Sequence, residues 1–161
     1  MTGNITFRTE PKRSDIETVR DIIVSSGFFQ NHEIDVAVEL VEERLEKGIE
    51  SGYFFNFVEV DGRTAAYACY GTIPCTIGSW DLYWIATHSD FRGKGIGKRL
   101  LSEVEKHVKE LGGRALYIET SLKPQYEPTQ HFYDSAGYNR DAVLKDFYDV
   151  DDHKIIYSKR V

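Results

Sequence analysis

Trp80–Leu111 reads WDLYWIATHSDFRGKGIGKRLLSEVEKHVKEL and decides the fold. It opens on an apolar, β-rich run (Trp80, Leu82, Tyr83, Trp84, Ile85) and passes through a polar turn into Arg92-Gly93-Lys94-Gly95-Ile96-Gly97. It closes on Ile96, Leu100, Leu101, Val104, Val108 and Leu111 at helical spacing. The pattern predicts a strand, a glycine loop and a helix. Such a loop delivers unpaired backbone N–H groups to a helix N-terminus, where the helix dipole also favours negative charge, so a phosphate is its natural occupant. Glycine removes the Cβ atoms that would hold a ligand off the backbone, and Arg92, Lys94, Lys98 and Arg99 add positive charge.

Spacing narrows the choice of anion. A nucleotide P-loop needs Gly at the position of Arg92 and Ser or Thr at that of Arg99 to bind magnesium, which argues against a phosphate-transferring kinase. Gly93, Gly95 and Gly97 run G-x-G-x-G, which is not the dinucleotide fingerprint G-x-G-x-x-G. What remains is R-x-x-G-x-G directly after a strand that ends Ile85-Ala86-Thr87.

Before this segment, Ile5 to Thr9 alternates as a strand. Ser14-Asp15-Ile16-Glu17 has the form of a capping box, leading a helix with Ile16, Val19, Ile22 and Ile23 on one face and Gly27 as its stop. A second helix is expected over roughly Glu33 to Lys47, burying Ile34, Val38, Val41 and Leu45. The apolar Phe28-Phe29 between the helices either packs beneath them or lines a substrate cleft. Tyr53–Val60 and Arg63–Tyr70 form a hairpin about Asp61-Gly62, a pair that tolerates positive φ. The next strand runs from about Ser79 to Thr87.

After the long helix, Gly112-Gly113 ends it and Arg114 to Thr120 reads as a buried strand. Strand, crossover helix and strand make a βαβ unit, so these two strands should be parallel. Lys123-Pro124 and Pro128 frame a loop, Thr129 to Ala136 a short helix stopped by Gly137, and Tyr138–Phe147 and Lys154–Lys159 closing strands about the acidic turn Asp149 to Asp152.

At 161 residues, 41% hydrophobic and 29% charged, the chain suits one soluble domain over 1–161. No apolar run approaches the roughly 20 residues of a membrane span, and Met1 to Thr9 carries no secretory signal, so a cytoplasmic location without membrane association is expected. Cys69 and Cys75 lack the partners of a zinc site or disulfide framework, and no metal is expected. The net charge of −6 disfavours a nucleic-acid partner and mildly favours a cationic substrate, though solubility explains the same excess of carboxylates.

Two motifs carry a family resemblance: the Arg92–Gly97 loop and Phe132-Tyr133-Asp134-Ser135-Ala136-Gly137-Tyr138, which is similar to F/L-Y-x-x-x-G-F/Y. In order and with the surrounding elements, they resemble the GNAT superfamily of acyl-CoA-dependent N-acetyltransferases. The resemblance implies an α/β (α+β) fold: a mixed, mostly antiparallel sheet of about seven strands, one parallel βαβ pair splayed to admit acetyl-CoA, and about four helices. It implies acetyl-CoA as co-substrate, held through backbone groups of Ile85 and Thr87 and through Arg92, Gly93, Lys94, Gly95, Ile96, Gly97 and Lys98. Tyr126 stands where family members often carry an Asn that contacts the cofactor or seats the helix, and Thr129 where they carry Ala. Thr87 and Ser89 replace the Val and Pro of V-H-P-D.

Acetyl transfer to an amine requires the amine to lose a proton and the departing thiolate, of pKa about 8.5, to gain from an acid. The family places the motif tyrosine near that sulfur, which here is Tyr133; the competing reading is a core aromatic. Counting back along the strand from Thr87 gives Asp81 as base, acting through water, or else a structural carboxylate. His131 and Glu119 are rivals for the proton. The acceptor is an amine on a small molecule or peptide, a homodimer is compatible with the reading, and the alternative function is a non-catalytic acyl-CoA-binding or sensor module on the same fold. Lengths of acyl chain beyond acetyl and the identity of the amine carry no code in Phe28 to Asn31, Ile73 to Ile77 or Lys145 to Asp152.

Overall fold

The computed structural model describes residues 3–161. In chain order these form β1 (Ile5–Arg8), α1 (Asp15–Ser25), α2 (Asn31–Lys47), β2 (Phe54–Val60), β3 (Arg63–Thr72), β4 (Ser79–Thr87), α3 (Ile96–Glu110), β5 (Ala115–Ser121), α4 (Glu127–Ser135), β6 (Asn139–Asp149) and β7 (Asp152–Arg160). The strands lie in the sheet order β1-β2-β3-β4-β5-β7-β6. Neighbours β1–β2, β2–β3, β5–β7 and β7–β6 are antiparallel, and β4–β5 is parallel. The parallel pair follows from the crossover helix α3, and the sheet is the mixed, mostly antiparallel α+β sheet that the family resemblance implied. No helix among the described residues is long and apolar enough to cross a membrane.

Two compact units divide the chain. The first comprises the chain to Gly71 with Tyr83–Val104. Its core joins Val19, Ile22 and Ile23 of α1 and Ile34, Ala37, Val38 and Val41 of α2 to Phe55, Phe57, Tyr67 and Cys69 of β2 and β3. These are the apolar faces expected from helical spacing, although α2 starts at Asn31 rather than Glu33. Asp61 and Gly62 both have positive φ (51° and 83°), so the β2–β3 turn has the hand that matches strand twist. Phe29 packs edge-on against Trp84 at 5.2 Å between ring centroids, while Phe28 is exposed.

The capping box is not formed. Ser14 itself has helical dihedrals (φ −64°, ψ −16°) and makes no side-chain cap bond. The neighbouring Asp15 turns inward instead, fully buried, accepting from Lys12 N at 2.7 Å and from both terminal nitrogens of Arg8 at 2.8 and 2.9 Å. A bidentate guanidinium pair outweighs a hydroxyl cap because both charges are then satisfied inside the protein.

The second unit comprises Thr72–Leu82 and Glu105–Val161. The parallel ladder lies within it and consists of Ser79↔Ala115, Trp80↔Leu116 and Asp81↔Tyr117, while β4 itself runs on to Thr87. The helix before it ends at Glu110, leaving Leu111 exposed rather than on the buried face. Gly112 (φ +89°) and Gly113 then return N–H groups to Lys109 O and Val108 O. Gly113 is required for a second reason: a Cβ there would collide with the side chains of Val108 and Trp80. The short helix α4 starts at Glu127, earlier than expected, because Pro128 sits within its first turn and not in the preceding loop. Proline lacks an N–H that the first turn does not use.

Candidate active site

In the first unit, the loop Arg92–Gly95 is exposed, and Gly93 and Gly95 adopt φ of +74° and +75°. Nothing lies within 4 Å of where a Cβ would stand on either glycine, so the backbone there can be approached directly. The first bond of α3 runs from Arg99 N to Gly95 O at 3.2 Å. The amides of Ile96, Gly97 and Lys98 precede it and are the orphan donors of the helix start. Ile96 turns inward, 2% exposed, and anchors the turn.

Arg92, Lys94 and Lys98 form no ion pair with a described residue, so their charge remains available to an anion. Lys94 Nζ lies 5.7 Å from the Phe91 ring centroid. Arg63 instead pairs with Asp90 at 2.8 Å, which draws the Asp90 carboxyl below its usual range. Ile85 and Thr87 are half-buried on β4.

In the second unit, two clusters form. The first begins at Asp81, opposite Tyr117 in the ladder. Glu119 is two residues further along β5 and therefore on the same face as Tyr117. Glu119 accepts from Lys154 Nζ at 2.7 Å, and that buried ammonium also stands 3.4 Å from the Phe147 ring centroid and 5.6 Å from that of Tyr148. Burial raises the Asp81 carboxyl above the usual range and the charge of Glu119 adds to this, while Lys154 opposes both. Burial also pushes the Tyr148 phenol up to about 12, with Glu119, Asp152 and Tyr126 contributing in that order. Tyr126 itself is half-buried at the end of a single helical turn, Pro124–Tyr126.

The second cluster holds Tyr133. Gln130 Nε2 donates to Ser121 O at 3.1 Å and Tyr157 Oη donates to Gln130 O at 3.4 Å, fixing α4 on β5 and β7. Tyr133 is 4% exposed, its ring packed against Phe132, Tyr138 and Tyr157 with centroids 5.2, 5.9 and 5.5 Å away. Its hydroxyl has no hydrogen-bond partner among the described residues. Burial first, and then Tyr157, pushes this phenol well above its ordinary pKa, so it stays protonated at physiological pH. His131 is exposed.

No hydrogen bond, ion pair or ring contact joins Tyr133 to Asp81, and among the described residues no group of three His, Cys, Asp or Glu side chains is placed to hold a metal. Sequence reading missed Lys154 and the aromatics around it. The signal available was the alternation of Lys154, Ile156 and Ser158 against Ile155 and Tyr157, which puts a lysine inside a strand, but its partner Glu119 is far away in the chain.

The family model for the acetyltransferase (GNAT) family matches residues 16–138. A GNAT-family protein of known structure from Desulfovibrio desulfuricans is 45% identical, with a TM-score of 0.95 over 98% of this chain and 99% of that one. The fold is also shared with the ribosomal-protein-S18-alanine N-acetyltransferase from Escherichia coli (17% identity, TM-score 0.75, covering 98% of this chain and 94% of that one). An aminoglycoside 6'-N-acetyltransferase complexed with coenzyme A gives 20% identity and a TM-score of 0.74 over 98% of this chain and 96% of that one. No curated protein sequence matches the chain significantly. The match over most of the length, on top of a fold and a glycine loop reached independently, means that this chain belongs to the GNAT acetyltransferase family.

Proposed function

We propose that the chain, as a single N-acetyltransferase domain over residues 1–161, moves the acetyl group of acetyl-CoA directly to a primary amine of a small molecule or peptide. The observation that carries this is the exposed turn opened by Gly93 and Gly95, which leaves three helix-start amides and three unpaired cations available for a pyrophosphate. The backbone of Ile85 and Thr87 lies past the last pair of the parallel ladder and supplies donors and acceptors for the pantetheine amides.

Tyr133, protonated and with its hydroxyl unengaged, is the acid that meets the leaving thiolate. Asp81, its carboxyl raised above the usual range by burial, takes the proton of the amine through water. A covalent intermediate on Cys69 is disfavoured because its thiol is buried and pushed far up in pKa, the opposite of an activated nucleophile. Cytoplasmic location fits the same reading.

Calorimetry with acetyl-CoA, followed by release of free thiol from acetyl-CoA in the presence of a mixed panel of amines, tests this. Saturable binding with amine-dependent release is expected. Absence of binding would overturn the reading, and binding without release on any amine would support the non-catalytic module instead.

A further inference from the structure

The Tyr133 ring is fixed from the C-terminal end of α4. Gly137 (φ +87°) ends the helix in a left-handed turn that returns Gly137 N to Asp134 O at 3.2 Å and Tyr138 N to Tyr133 O at 3.1 Å. The same turn brings the Tyr138 ring edge-on to that of Tyr133, with centroids 5.9 Å apart. Tyr138 therefore fastens Tyr133 at backbone and ring together, and a group that holds Tyr138 also holds Tyr133.

That group is Glu105 of α3. The Tyr138 hydroxyl donates to Glu105 Oε2 at 2.8 Å, and Lys159 of β7 donates to the other oxygen, Oε1, at 3.0 Å. The Lys159 ammonium also donates to Ala136 O at 3.0 Å and stands 5.5 Å from the Tyr138 ring centroid. One carboxylate thus ties α3 and β7 to the residues on both sides of Gly137. Tyr138 is 5% exposed and the Glu105 side chain 16%, so these charge-assisted bonds are made largely away from water, where they are strongest. Burial first, and then the charge of Glu105, push the Tyr138 phenol well above its ordinary pKa, which keeps it a donor to that carboxylate. The other tie across the turn joins Asp134 to Arg140 through side chains 38% and 46% exposed, and a pair in that much water holds little.

We propose, resting on the acid role given to Tyr133 above, that Glu105 is a positioning residue for acetyl transfer: through Tyr138 it sets where the Tyr133 hydroxyl stands. Glu105 itself moves no proton. It removes freedom from the last turn of α4, and a reacting group displaced by about 1 Å can lose about 10²-fold in rate.

Thiol release from acetyl-CoA, with an amine that the wild type acetylates, tests this in a double-mutant cycle. Glu105→Ala and Tyr138→Phe are measured alone and combined with Tyr133→Phe, with far-ultraviolet circular dichroism to verify folding. Tyr138→Phe breaks the same tie from the other end with the ring kept, and it decides the matter if Glu105→Ala does not fold. Each single variant should lower kcat about tenfold with KM for acetyl-CoA within about threefold of wild type. Added to Tyr133→Phe, neither should cost more than about a further twofold, because the hydroxyl they position is already gone. Equal losses with and without the Tyr133 hydroxyl would make the tie merely structural and overturn the proposal. So would a kcat within about threefold of wild type in the folded single variants while Tyr133→Phe is slow. A wild type that releases no thiol with any amine, or a Tyr133→Phe variant as fast as wild type, would instead overturn the reading beneath, and the proposal with it.

Discussion

Replacing Tyr133 with Phe removes one oxygen and separates catalysis from packing. The ring is buried among Phe132, Tyr138 and Tyr157, and those contacts survive the change. Because the hydroxyl has no partner among the described residues, no internal hydrogen bond is lost. Stability should therefore stay within about 1 kcal/mol of wild type. The effect on rate follows from proton affinity. General acid catalysis contributes about 10²- to 10⁴-fold, or about 2.7 to 5.4 kcal/mol of barrier. A phenol raised above its ordinary value of about 10 is a weaker acid than a thiol of about 8.5, so full transfer to the thiolate is uphill and the low end applies. Expected is a fall in kcat of about 10²-fold with acetyl-CoA affinity changed by less than about threefold, read from thiol release and calorimetry on the same preparation. The sign with pH is also set: a raised phenol pKa keeps the acid form through neutrality, so the wild-type rate should show no loss from this group below about pH 10. A Tyr133→Phe variant with kcat within about threefold of wild type would remove the hydroxyl from the mechanism.

Three further outcomes follow from the same geometry. Asp81→Asn should lower kcat/KM while raising the melting temperature slightly, because a carboxyl raised in pKa is ionised at a cost to the fold above its unfolded value; a drop in melting temperature would show that the charge is structural. Lys154→Met removes the cation that opposes the other two influences on Asp81, so the acid limb of the kcat/KM profile should move to higher pH. A limb that stays in place would separate Asp81 from the base role or from Lys154. Gly95→Ala puts a Cβ on a residue at φ +75° and should cost about 1 to 2 kcal/mol in the loop conformation, seen as about tenfold weaker acetyl-CoA binding by calorimetry; unchanged affinity would place the anion elsewhere.

What could be read from the chain alone is what arises within a turn or two of backbone. The α3 face, the Asp61-Gly62 hairpin, the glycine turn and the Phe132-Tyr133 motif depend on periodicity and on dihedrals that only certain residues adopt, and apart from the exposed Leu111 each stands where spacing put it. With their order, they were enough for the family. The capping box failed for the complementary reason: Ser14 has the right neighbours in sequence, but Arg8 reaches Asp15 from β1 and a charge pair inside the protein outweighs a local hydroxyl bond. Likewise the ammonium of Lys154 meets Glu119 and two aromatic rings only because β5, β6 and β7 are brought side by side. The burial that raises Asp81 and Tyr133 is likewise a property of packed neighbours. Local sequence determined the glycine turn at the start of α3; tertiary packing decided which protons are held, because proton affinity depends on the surroundings of a group and not on its position in the chain.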